Sequence, residues 1–354
     1  MNISERSFIP DNLIRTLAIT LVILLHAANT TLKASSVPAD YWWTAVIYKS
    51  LALPCVPLFV MLSGALLLKR TKLNEPIRVF LKKRLIRIGL PIVFWSVIYL
   101  FWAFFVSQIP ATWGNIQRGI LYSLFGGAYY HFWFIYLIVG IYLITPILRV
   151  IIAHGNKSII RYLCLLWFVS VAVVPLIEMA TGHILNPIAF LISGWEGYFV
   201  LGSYLKRVKV RPAILYILLI TSFAWTIFGA WVMNYPLSAM NRNNFFFDYL
   251  TANVIMGSVA LFLILLRFHR DWPGSNHATA NRIVQAISKN TLPIFMMHVI
   301  ILESFERGFF GFTLSYTTLH PILEIPLITI LTLFLTLSLI LLMQKVPILN
   351  KMIG

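Results

Sequence analysis

Ten stretches of this chain are each long and apolar enough to cross a bilayer, and that repetition limits the fold more than any other feature. About 20 consecutive apolar residues cover the hydrocarbon core as a helix. Runs of this kind fall at roughly 13–30, 44–68, 85–106, 131–150, 160–177, 188–205, 212–233, 249–268, 284–303 and 321–343. Hydrocarbon offers no partner to backbone N–H and C=O groups, so such runs satisfy themselves as helices. The prediction is an all-α polytopic integral membrane protein of about ten transmembrane helices, one membrane-embedded domain over 1–354. Pro54, Pro57 and Pro91 fall inside the second and third runs, where membrane helices tolerate proline. Residues 107–130 hold no full span and suit a short amphipathic or re-entrant piece around Ile116–Phe125.

Composition agrees. Of 354 residues 60% are hydrophobic and only 11% charged, where soluble domains carry about 25% charged residues. The formal net charge of +17 does not indicate nucleic acid, because the positive residues sit in short segments between apolar runs. With the N-terminus placed on one side, that side holds all but five of the 28 Lys and Arg, the exceptions being Lys33, Lys49, Arg118, Arg242 and Arg307. The positive-inside rule then makes both termini cytoplasmic. Most carboxylates, including Asp40, Glu303, Glu306 and Glu324, fall toward the other side. The basic face would attract a phosphorylated ligand or anionic lipid headgroups. Cys55 and Cys164 both lie in apolar runs and read as buried free thiols, with no CxxC or other metal-binding spacing. The first run lacks a small-x-small cleavage site and reads as the first span.

Four constellations could carry chemistry. Arg15 and His26 stand 11 residues apart in the first span. That is close to three whole helical turns, which puts both on one face roughly 16 Å apart along the axis. Arg15 falls at the membrane surface, where it could simply anchor the span. His26 falls near mid-depth, where an ionisable side chain is expensive and is a functional candidate, as general base or as nucleophile. Arg84 and Arg87, beside Lys83, open the third span. Three residues apart, they share a helix face, at an N-terminus that favours anions, and form a fork for phosphate. Ordinary positive-inside charge would also explain them. His298 lies about 12 residues into the ninth run, at a depth comparable to His26, so one cavity could hold both. His131, beside Trp133, opens the fourth span among aromatics that suit a sugar ring or an interfacial belt. Ser63-Gly64 closes the second span and permits close helix packing. No Walker A, G-x-G-x-x-G or H-E-x-x-H pattern occurs.

In this order and placement the motifs resemble those of the membrane-bound acyltransferase 3 family. The resemblance rests on Arg15-x10-His26; Pro57-Leu-Phe through Leu-Ser63-Gly64; Arg84-x-x-Arg87; His131-Phe-Trp-Phe with Tyr142 and Pro146; and Leu-Pro-Ile-Phe-Met-Met-His298. It covers essentially the whole chain. It implies a membrane-bound O-acyltransferase moving an acyl group, usually acetyl, from cytoplasmic acetyl-CoA to a hydroxyl of a cell-surface or lipid-linked polysaccharide at a bacterial inner membrane. It also implies that Arg15 and His26 are the essential pair and that Arg84 and Arg87 hold the donor. With these roles go Lys83 beside the donor, His298 in the transfer centre, and His131 and Trp133 on the acceptor. No metal is implied. The chain ends after the tenth run, so no fused extracytoplasmic SGNH domain is expected. A proton-coupled transporter or flippase of lipid-linked saccharides, using the histidines as a relay, is the other reading these residues allow.

Overall fold

The computed structural model describes residues 3–354 apart from 35, 111, 185–193, 235–243 and 268–277. Among the described residues there are helices and turns and no strand. In chain order the helices are α1 (Ile3–Lys33), α2 (Ala39–Ala52), α3 (Cys55–Leu67), α4 (Ile77–Ser107), α5 (Trp113–Gly126), α6 (Trp133–His154), α7 (Lys157–Phe168) and α8 (Val174–Thr181). They continue as α9 (Glu196–Leu205), α10 (Pro212–Asn234), α11 (Ala252–Arg267), α12 (Ala278–Lys289), α13 (Thr291–Glu306), α14 (Pro321–Met343) and α15 (Pro347–Ile353).

Eight helical segments among the described residues have the length and apolarity of a membrane span. They match eight of the ten runs. The ninth run, 284–303, is not one rod: it breaks at Asn290 into α12 and α13, and α13 has only 16 residues. The break is stabilised by side chains. Asn290 Nδ2 donates to Ala286 O at 2.8 Å, and Asn290 Oδ1 accepts from Gln344 Nε2 at 2.6 Å. The run 188–205 lies partly outside the described residues, and its described part is the ten-residue α9. The second span is also interrupted, between Ala52 and Cys55, because Pro54 has no N–H to continue the ladder. Ahead of Pro175, the span containing α7 and α8 widens into a π turn over Val169–Val173. The short amphipathic or re-entrant piece expected around Ile116–Phe125 lies within α5, with the Thr112 hydroxyl accepting from Asn115 N.

α1 lies at the centre, packed against α2, α3, α11, α12, α13 and α14. Its N-terminal half is tied to α12 by two hydrogen bonds, Thr16 Oγ1 to Val284 O at 3.0 Å and Ser288 Oγ to Asn12 Oδ1 at 2.8 Å. The peripheral helices follow the opposite pattern to a soluble protein. On α4 the stripe Ile88, Pro91, Trp95 and Tyr99, at spacings of three and four, is buried. The opposite stripe Leu90, Val93, Val97 and Phe101 is exposed yet wholly apolar. A helix apolar on both faces, with one face bare, is solvated by lipid.

α3 and α9 cross at a small-residue contact. A Cβ on Gly64 would strike the carbonyl oxygen of Phe199, and one on Gly202 the carbonyl of Met61. This is the close backbone approach that Ser63-Gly64 leads one to expect. It locks α9 onto α3, which itself packs against the central rod.

Candidate functional site

Two cavities open along α1. The first, about 370 Å³, lies at the basic end and is lined by Arg15, Lys69, Lys72, Arg84, Arg87 and Tyr142 among others. Arg84 and Arg87 reach it because their spacing of three puts both on the α4 face that also carries buried Ile88. Lys83, one residue round from that face, is exposed and does not line the cavity. Helix geometry thus separates Lys83 from the face that carries the two arginines.

Lys69 and Lys72 come from the short connection between α3 and α4, and no sequence motif pointed to them. They are held there by Arg149 from α6. Its Nε donates to Leu67 O at 2.9 Å, and its Nη1 to Lys72 O at 3.2 Å and to Glu75 Oε2 at 2.9 Å. Arg149 is 4% exposed and its guanidinium also lies over the Phe80 ring at 4.3 Å. Its partners are thus a loop backbone and a carboxylate, so it braces the mouth instead of offering its charge to a ligand.

The charge at this mouth is under-compensated. Glu75 is engaged by Arg149 and Asp11 lies 3.9 Å from Lys206. Arg84 Nε is buried without a hydrogen-bond partner, its guanidinium near the rings of Phe80 and Tyr142. Burial, and then the neighbouring Arg84 and Arg149 charges, holds the Lys72 ammonium below its usual range, with Glu75 opposing. Every one of these features would be relieved by a bound polyanion.

The second cavity, about 270 Å³, is lined by His26, Lys33, Tyr130, His131, Trp133 and Tyr249 among others. Here α1 and α13 bring two histidines together: the rings of His26 and His298 lie 5.3 Å apart between centroids. His131 completes a group of three, 5.4 Å from His298. It reaches them because Gly127, at φ +94°, turns the chain after α5 and carries His131 and Phe132 into the core, while Tyr130 stays exposed at the cavity's edge. His131 is only 1% exposed, packed against Tyr99, Phe132 and Phe295. Its predicted place at an open aromatic boundary is therefore corrected: its ring faces are covered, and it belongs to the imidazole group. Trp133 does lie at an open edge, next to Trp195 and Tyr249.

His298 Nδ1 lies 2.7 Å from Phe295 O. A carbonyl only accepts, so Nδ1 carries the proton and Nε2 is left as an acceptor, buried and without a protein partner. Tyr99, from α4, donates its hydroxyl to Met296 O at 2.6 Å and holds the same turn of α13. Glu303, near the C-terminal end of α13, bonds to no imidazole. It accepts from Trp102 Nε1 at 2.7 Å and from the Tyr129 hydroxyl at 2.8 Å, and so supports the segment carrying Tyr130 and His131.

Arg15 thus lines one cavity and His26 the other, on one unbroken helix. The fold and the site define a multi-pass membrane protein with a cationic pocket at one end and buried imidazoles beyond it. Comparison with family models gives the more particular assignment: the acyltransferase domain model of the acyltransferase 3 family matches residues 12–341, and the chain belongs to that family. Its function is therefore of the acyltransferase type. No curated protein and no solved structure matches the chain.

Proposed function

We propose that this protein takes an acetyl group from acetyl-CoA at its basic, cytoplasmic end and transfers it to a hydroxyl of a cell-surface or lipid-linked polysaccharide. The observation that carries the reading is the pair of cavities on α1, one lined by Arg15, Arg84 and Arg87 and the other by His26. The phosphates of CoA bind the arginines and Lys69 and Lys72, and Arg15 faces the donor from α1. The thin pantetheine arm then runs along α1 toward His26.

There an imidazole nitrogen of His26 removes the proton of the acceptor hydroxyl. The oxygen attacks the thioester carbonyl carbon, the new C–O bond forms, and the C–S bond breaks. The leaving CoA thiolate takes up the proton held by His26, which returns the base to its starting state. His298 packs against His26 at 5.3 Å between ring centroids and keeps its Nε2 free to accept a hydrogen bond from the acceptor. His131 packs behind it, and Trp133 stacks on the sugar. An acetyl-His26 intermediate would balance equally well, but direct transfer needs no second attack in the same small space.

From the order of its motifs we read the chain as similar to the inner-membrane O-acetyltransferase of enterobacterial common antigen. We take a glycan of that class as acceptor and a bacterial inner membrane as location, with both termini cytoplasmic by the distribution of Lys and Arg. Mass spectrometry of envelope glycans tests the reading. Cells with the intact gene should show an acetyl mass increment that Arg15→Ala and His26→Ala cells lack at equal membrane levels. Full acetylation in either variant would overturn the mechanism.

A further inference from the structure

The two cavities have lining residues in common, and these are two phenylalanines. Phe134, from the first turn of α6, and Phe295, from α13, line both. Their ring centroids are 5.2 Å apart. Phe59 of α3 abuts Phe134 at 5.8 Å on the basic side. On the other side Phe295 stands 5.4 Å from His131 and 5.8 Å from His298. Phe295 is buried, and Phe134 and Phe59 are half-buried. A stack of three rings from three helices thus stands between the cationic pocket and the imidazoles.

We propose that Phe134 and Phe295 form an apolar septum that selects an uncharged acyl group, such as acetyl, over one bearing a carboxylate, such as succinyl. The inference rests on the donor reading above and adds to it the residues that choose the acyl group. The two rings are in contact, so the acyl group and its thioester must part them to meet His26. A methyl and a thioester cross an apolar slot at little cost. A carboxylate must shed its water there, and phenyl rings offer it no donor, which is the expensive case of an unpaired charge in a dry site. The cations lie to either side: the arginines in the basic pocket, and Lys33 in the far cavity, against the Tyr130 ring. The same rings keep water from the thioester until an acceptor arrives.

The test uses the full chain in lipid nanodiscs, with acetyl-CoA or succinyl-CoA and envelope polysaccharide extracted from cells lacking the gene; CoA release is followed with and without polysaccharide. Wild type should use acetyl-CoA at least about tenfold faster than succinyl-CoA. Phe134→Ala and Phe295→Ala should narrow that ratio about tenfold and release CoA without polysaccharide, because water enters the widened slot. Phe134→Leu keeps an apolar wall in a smaller volume and should shift the ratio less in the same direction, which serves if the alanine variants fail to fold. Equal use of both donors by wild type, or an unchanged ratio in folded variants, would overturn the septum. Wild type that acts on acetyl-CoA only keeps the donor reading whichever way the variants fall. Wild type inert to both donors with polysaccharide present would overturn the donor reading and the septum with it.

Discussion

The two cavities on α1 are built from opposite materials. The basic pocket is lined by long flexible cations from four segments, some of them exposed, with Arg149 bracing one loop from behind. The histidine cavity is walled by rings packed at tilted and edge-to-face angles: His26, Tyr130 and His131 line it, His298 stands against His26, and each has an aromatic neighbour within 5.4 Å. A pocket of flexible charges suits a ligand that brings many charges and tolerates small displacements. A pocket of locked rings suits a reaction that depends on angle and distance. The contrast predicts that substitutions in the basic pocket act mainly on donor binding, and those in the histidine cavity on the chemical step.

The sharpest way to break that comparison is His26→Ala. It should lower kcat by about 10³-fold with the KM for acetyl-CoA little changed; a rise in KM alone would place His26 with the binding residues. Arg84→Ala and Arg87→Ala should each raise the KM for acetyl-CoA by about tenfold or more, the scale of one charged hydrogen bond, and leave kcat within a few fold. Added salt should raise the wild-type KM further than it raises that of either variant. Gly127→Ala places a side chain at φ +94° and should cost roughly 1 kcal/mol of stability, with a fall in kcat from displaced His131, read by thermal unfolding in detergent beside a kinetic assay. Lys83→Ala should change neither constant by more than about twofold, because an exposed charge outside the pocket contributes little. A large effect there would enlarge the basic pocket beyond its described walls.

Much of the frame was legible in the sequence because the bilayer imposes a length on every apolar run. The Arg15–His26 face and the Arg84–Arg87 face were legible because helix periodicity alone decides them. The meeting of His26 with His298 followed from comparable depth. What escaped depended on contacts between segments. Lys69 and Lys72 line the pocket only because Arg149 and Glu75 pin their loop, and no spacing in the sequence records that pairing. His131 looked like a boundary aromatic because its neighbours are aromatic, but the turn at Gly127 carries it inward. The break at Asn290 was hidden because Asn290 sits in an otherwise apolar run and its partner Gln344 is 54 positions away. The partners of Glu303, Trp102 and Tyr129, were equally hidden, because α4 and residues 127–132 meet that side of α13 only in the folded chain.

One consequence of the uninterrupted α1 concerns phase. The helix holds Arg15 and His26 at a fixed separation and also at a fixed rotation, since each residue turns the next by about 100°. A single residue inserted between Thr16 and Leu25 would keep every side chain of the helix and lengthen it by only about 1.5 Å. It would nevertheless swing His26 away from His298 while Asn12 and Thr16 stay clamped to α12. The first helix therefore acts as a keyed shaft: its two ends are indexed to each other, and the rest of the bundle is cut to that one setting.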